Sequence, residues 1–555
     1  MVPRILNSKA KTITFAALIL GFSALLSRIL GLFRDNLLAN LLEKSQADIY
    51  FAAFRIPDLV YAILITGGIT AAFLPVFSTQ IKKSKREAEL LVNNVLTFFL
   101  LALILISITL IILTPFLVKI IVPGFTLEQK ALVSILTRIM FLSPILLGIS
   151  AIFSGVLHYF NLFLITALAP ICYNLGIIFG ILFLRSSLGM VGLAWGVILG
   201  AFFHLAVQVP ILFKNGFHPR FSFNFNSPGL KKIFKLMIPR SLGSTAYQIN
   251  LIVITAIAST LAVGSIRIFN FANNLQGVAI GLIGLSFAGA SFPFLSRHFA
   301  NKEKEKFSEN FFLIFRQIFF LVIPLGVLTF LLRAQIVRVI LGTSVLGGGF
   351  FDWSDTRLTA ACLGIFSVSL FASCFIPFLS RAFYSFQDTK TPVKIALFSM
   401  ASNIVFSFFF VKVLSSANFF QGITMNFLKL KGVDNVSLIG LPLGLSLATI
   451  IQFFLLFSSL KKKKKELSFR KIIKPLLKIL ASSFLMGVMV YLFLRIFVLF
   501  FNLDKVITVI FQGGLAGLIG LLSYLLFSSV FKSEEPKSIW FSVSEQFKKD
   551  EPKKY

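Results

Sequence analysis

Long apolar runs alternate with short polar ones along the whole chain. The apolar runs reach about 20 residues or more, the length a helix needs to cross the hydrocarbon of a bilayer. They lie at about 13–33, 48–79, 93–119, 130–158, 162–184, 190–213, 236–262, 266–297, 310–333, 356–386, 391–414, 437–460, 473–500 and 505–531. The pattern predicts an all-α, polytopic membrane protein of about 14 transmembrane helices. Two runs, 48–79 and 266–297, are too long for a straight crossing. Pro57, Gly67, Gly68 and Pro75 interrupt the first; Gly277, Gly281, Gly284 and Pro293 interrupt the second. Broken helices are tolerated in hydrocarbon where they line a cavity or pack on neighbours.

Composition agrees, since 57% of the 555 residues are hydrophobic and 13% charged, too few charges to clothe a water-soluble surface. The net charge of +32 would suggest nucleic acid in a soluble chain. Here the cations cluster in alternate loops: Lys82 to Arg86, Lys214 to Lys235, Arg297 to Lys306, Arg381 to Lys394, Lys461 to Lys465, and the tail. That is the positive-inside pattern, so no nucleic-acid partner is expected and both termini are placed in the cytoplasm. Arg4, Lys9 and Lys11 precede the first run as in a signal peptide, but no small-residue cleavage site follows, so a retained span is expected. The pentalysine Lys461–Lys465 is either a topology anchor or a contact to anionic membrane lipids. Cys172, Cys362 and Cys374 lie in apolar runs with no metal-ligand spacing. The chain has no Walker loop, HExxH or GxSxG motif in a plausible setting. No enzyme, metal or cofactor is therefore expected, and transport would draw on the membrane potential or an ion gradient, the ion being unspecified.

An internal echo organises the runs. AFLPVFS (Ala72–Ser78) closes the second span and ASFPFLS (Ala290–Ser296) the eighth, each before a basic loop. Two six-helix lobes in parallel pseudo-repeat follow, with a cavity between them. The expected divisions are an N-lobe with its linker at 1–235, a C-lobe at 236–465, two extra helices at 466–531 and a cytoplasmic tail at 532–555.

Charges inside spans are costly and so carry the functional expectation. Arg28 and Asp35 share a face of the first helix, with Arg34 about 120° away. Arg55, Asp48 and Asp58 belong to the second span. Arg28, Arg34 and Arg55 are expected to form one basic patch, and a guanidinium fork suits phosphate oxygens. Asp35 and Asp48 either pair with that patch or leave it open for an anion. Asn273 and Asn274 of the eighth span are either interhelical glue or ligands for sugar hydroxyls. Arg267, which opens that span, is expected at the outer interface.

SRILGLFRD, QADIYFAAFRIPD, GGITAAFLPVFS and RAFYSFQDTKTPVKIAL, in that order, resemble the MurJ/MviN family of lipid II flippases. The resemblance implies the multidrug/oligosaccharidyl-lipid/polysaccharide exporter fold and a groove near the last two helices for a polyprenyl tail. It implies flipping of lipid II, or a similar polyprenyl-diphosphate-linked glycan, by alternating access for peptidoglycan synthesis at the bacterial inner membrane; a monomer is expected. Another lipid-linked polysaccharide or a drug-like cargo is the alternative. By motif, Arg28 and Arg34 match the family's two first-helix arginines, and Asp35 and Asp48 its acidic positions. The chain departs from the family at Tyr61, Thr66, Asn273, Asn274 and Gly277, where cavity charges are replaced by neutral residues.

Overall fold

The computed structural model describes residues 13–344, 349–464 and 470–536. Its regular structure is helical, with no strand among the described residues. Eleven helical stretches among them are long and apolar enough to cross a membrane. The other three predicted runs fall on Ile13–Leu41, on Lys44–Ile81 and on Pro228–Ser259, all helical. The N-terminal cations, Lys465 and the tail beyond residue 536 lie outside the described residues.

The chain divides into two compact units. The first comprises residues up to Leu38 and Leu42–Ile266; the second comprises Ala39–Leu41 and the residues from Arg267 onward. The first unit contains α1 (Ile13–Leu41, all but its last turn), α2 (Lys44–Ala53), α3 (Arg55–Tyr61) and α4 (Thr70–Ile81). It continues through α5 (Lys85–Ile121), α6 (Leu127–Met140), α7 (Leu142–Tyr159), α8 (Phe163–Phe179), α9 (Arg185–Leu188), α10 (Met190–Ala206), α11 (Val209–Lys214) and α12 (Pro228–Ser259). The second unit contains α13 (Ser265–Ala279, from Arg267), α14 (Ser286–Ala300), α15 (Lys304–Ile340), α16 (Trp353–Ser385) and α17 (Lys390–Leu414). It ends with α18 (Phe419–Leu428), α19 (Gly440–Lys463), α20 (Arg470–Phe500) and α21 (Val506–Val530). The packing boundary falls one helix later than the repeat boundary drawn at 235. The reason is that α12 packs on the interrupted second span, where Ser241 Oγ donates to the Ile63 carbonyl (2.7 Å).

Local signals account for where helices begin. Ser84 and Ser227 accept from the backbone N–H three residues on, and Glu43, Thr126 and Asp352 close capping boxes. The two overlong runs stay helical but pass through π-helical segments, Ala62–Ile69 between α3 and α4 and Ile280–Leu285 between α13 and α14. Both segments hold two glycines, and both precede the echoed Pro75 and Pro293. The echo is therefore one of backbone form as well as of residues, as a pseudo-repeat requires. A π segment inserts a residue into the ladder and frees carbonyls, a device common at functional sites.

Glycines repeat the theme. A Cβ on Gly180 would lie 2.4 Å from Gly196 Cα, and one on Gly176 2.3 Å from Gly200 Cα, so α8 and α10 touch backbone to backbone. In the second unit Gly440 and Gly444 press in the same way on Val411 and Ser407, joining α19 to α17. Small residues at every fourth position permit this approach in lipid, where apolar burial drives little association. Phenylalanine fills the second unit's core: Phe375 lies 4.6 Å from both Phe315 and Phe319, and Phe311 stacks on Phe378 at 5.1 Å.

At the predicted cytoplasmic end the lysine run folds back on its own unit. Lys463 pairs with Asp388 and reaches Thr391 Oγ1 (2.8 Å), while Lys464 stands over the rings of Phe299 (4.7 Å) and Phe386 (4.9 Å). Burial alone would raise the Asp388 carboxyl, but the hydrogen bonds from Lys463 and Thr391 outweigh it and hold it below the usual carboxylate range. Its folded value lies below its unfolded one, so the latch contributes fully above the ordinary carboxyl pKa and is lost as pH falls through the folded value.

Three outcomes are expected. Gly196→Val separates α8 from α10 and destabilises the protein by about 1–3 kcal/mol, seen as a lower melting temperature in detergent. Gly517→Ala, whose Cβ meets nothing within 4 Å, leaves that temperature unchanged or raises it. Asp388→Asn opens the latch at neutral pH, read as faster amine labelling of Lys463 and Lys464 by mass spectrometry.

Candidate functional site

The first unit holds a cavity of about 310 Å³, bordered by Asp58 and Tyr61 of α3, Ser143 of α7, Tyr173 of α8 and His204 of α10. Asp58 follows Arg55 by one turn, and Arg34 of α1 lies within its electrostatic reach along with Arg55. Arg34 and Arg55 are thus brought near one acid that sequence reasoning left out of the expected site. The signal for it was present: a carboxylate three residues from an arginine inside an apolar run.

The expected basic patch resolves into three different situations. Arg34 is half-buried and doubly tethered. Its Nε and one terminal nitrogen donate to Asp35 Oδ1 (3.1 and 2.8 Å), and the other terminal nitrogen donates to Asn174 Oδ1 (3.2 Å). Asn174 is itself fixed, donating to the carbonyls of Ser27 (3.4 Å) and Pro170 (3.1 Å). Three of the guanidinium's N–H groups are thereby committed, and one on each terminal nitrogen meets no acceptor among the described residues. Arg28 is exposed and bonds none of the described residues, and Asp35, which shares its helix face, pairs with Arg34. Arg55 is buried at 5% exposure, and its Nε donates to Thr255 Oγ1 (2.6 Å), which pins α3 to α12.

The two acidic candidates also part. Asp35 is the counter-ion of Arg34. Asp48 accepts from the Gly264 N–H (2.6 Å) and thereby anchors the turn that leads out of α12. Gly264 sits at φ +97°, a conformation that favours glycine.

In the second unit Asn273 and Asn274 are half-buried on α13 and engaged by neighbouring groups. Arg267 was expected at the outer interface and is instead fully buried. It pairs with Asp355, donates to the Phe350 carbonyl (3.1 Å) and stands 5.8 Å from the Phe351 ring. Asp355 also closes the capping box that starts α16, so this arginine ties two helix beginnings together. An uncompensated guanidinium there would be far too costly, which explains its burial beside an acid.

A polar network continues behind the cavity. His204 Nδ1 lies 2.7 Å from Ser150 Oγ, and the fully buried Gln208 donates to Ser150 Oγ (2.5 Å) and accepts from Ser154 Oγ (2.8 Å). These residues were not foreseen, because isolated polar residues in an apolar run do not reveal whether they face one another. Thr255→Val, nearly isosteric, removes the acceptor of a buried charged donor. The expected cost is about 1.5–3 kcal/mol of stability, measured as a lower unfolding temperature of the detergent-purified protein.

The family profile described as "Lipid II flippase MurJ" matches residues 39–511. A "Probable lipid II flippase MurJ" of Buchnera aphidicola is 30% identical over 447 residues, covering 79% of this chain and 82% of the relative. A solved structure titled "Lipid II flippase MurJ, inward closed conformation" aligns with a TM-score of 0.71 at 25% identity, over 93% of this chain and 98% of that one. An inward-facing multidrug resistance transporter of the MATE family, in the MOP superfamily, aligns at 0.64 and 16% identity over 80% and 95%, which places the fold. The profile covers most of the chain, and the chain belongs to the MurJ family of lipid II flippases.

Proposed function

We propose that the chain flips lipid II, an undecaprenyl-diphosphate-linked disaccharide-pentapeptide, from the cytoplasmic to the outer leaflet of the bacterial inner membrane. It does so by alternating access, as a monomer with both termini in the cytoplasm. The membrane potential or an ion gradient drives it.

The observation that carries this reading is the half-committed guanidinium of Arg34. Asp35 and Asn174 hold it in one orientation while two N–H groups stay available. A preoriented fork of this kind grips a diphosphate with little further ordering. Arg28 lies six residues earlier, exposed and uncommitted, and supplies a second cation. Arg55 contributes charge from below the surface through Asp58 rather than direct contact. Family membership supports the cargo class, and the arrangement of donors supports the choice of residues.

The test is complementation of a flippase-depleted cell with a leaflet-resolved assay of lipid II. Arg34→Ala and Arg28→Ala are each expected to leave lipid II on the cytoplasmic leaflet while the protein still reaches the membrane. Arg34→Lys retains charge without the fork and is expected to fall between them and wild type. Full complementation by Arg34→Ala removes the role given to this residue. Absence of lipid II accumulation on depletion of the wild-type protein points to another cargo.

A further inference from the structure

Of the three acids in the first two spans, Asp35 is paired with Arg34 and Asp48 accepts from Gly264. Asp58 is different. It borders the first unit's cavity, is only partly exposed, and has no hydrogen-bond or ion-pair partner among the described residues. Arg34 and Arg55 are close enough to feel its charge, yet each spends donors elsewhere, on Asp35 and Asn174 and on Thr255. An unbonded carboxylate in a partly enclosed site is costly unless something answers it.

We propose that Asp58 is a proton-binding counter-ion of the site, ionised when the site is empty and protonated when a dianionic diphosphate diester is bound. This rests on the diphosphate reading above and names what balances the charge. In the empty site the carboxylate offsets Arg34 and Arg55. When the cargo brings its own negative charge, the carboxylate becomes a like charge beside it, and taking one proton from water removes the repulsion. The proton is released again when the anion leaves. The cargo then crosses with one net negative charge fewer than it carries in water.

The groups facing Asp58 favour a proton over a metal cation. They are Arg34 from α1, whose counter-ion is Asp35, Tyr50 from α2, Arg55 and Tyr61 from α3, Tyr173 from α8 and His204 from α10; α7 presents Ser143, and Tyr247 of α12 faces Arg55. Two guanidiniums repel a further cation. Among the described residues no three His, Cys, Asp or Glu side chains come together to hold a metal ion. A proton needs a single basic oxygen.

Binding of a water-soluble, short-prenyl lipid II analogue to the full-length protein in detergent tests the inference. Calorimetry in two buffers of different ionisation enthalpy counts the protons exchanged. Wild type is expected to take up close to one proton per analogue at neutral pH. Its affinity is expected to fall as pH rises, by up to about tenfold per unit, because the bound state holds the extra proton. Asp58→Asn, a permanently neutral mimic, is expected to bind at least as tightly as wild type, with no proton uptake and no pH dependence. Asp58→Glu keeps the uptake and shows that the position tolerates substitution. Binding by wild type without proton uptake overturns the proposal while leaving the diphosphate reading intact. Uptake retained in Asp58→Asn but lost in His204→Gln also overturns it, by assigning the proton to the imidazole. Absence of analogue binding to wild type removes both readings.

Discussion

A guanidinium placed within hydrocarbon has to be answered by an acceptor that the protein itself supplies. This constraint explains more of the structure than any single motif. Arg55 is answered by Thr255, Arg267 by Asp355, and Arg34 by Asp35 and Asn174. Each answer joins helices or fixes a helix end, so the charges that look functional in the sequence also hold the bundle together. Arg28 is the exception, exposed and unbonded among the described residues.

The same constraint governs the interrupted helices. A π segment frees carbonyls that lipid cannot satisfy, and the Ser241 hydroxyl from α12 answers one of them at Ile63. This is why the seventh helix packs with the first unit although the repeat pattern assigns it to the second lobe. The broken helix needs a polar neighbour, and α12 brings both Ser241 and Thr255 to it. Repetition and packing therefore divide the chain at different places.

How much of this the sequence discloses depends on the range of the interaction. Hydropathy gives the spans because each is a local property of about 20 residues. The interrupted helices are legible too, since the glycines and prolines that cause them lie within the runs. The bonds from Thr391 to Asp388 are local, three residues apart. The partners of the arginines are not local: Thr255 is 200 residues from Arg55, and Asn174 is 140 from Arg34. Arg267 reads as interfacial by its position at a span's start, and only its partner Asp355, 88 residues on, shows why it is buried. Asp58 was visible as a charge but not as the acid without a bond, because that depends on what every other donor has already done.

The departures from the family pattern follow the same logic. Tyr61 stands where the resemblance expects an arginine, and it borders the same cavity as Asp58. A basic residue lost alone would leave a neighbouring acid unanswered, so the resemblance implies that cations and carboxylates have gone together around Tyr61 and Asn274. In the first unit Arg34 and Arg55 both act on Asp58, a carboxylate with no bond among the described residues. Its charge bears directly on whether an anion is held, because it is a like charge beside that anion. The charge that the site offers an anion therefore depends on the protonation of that acid.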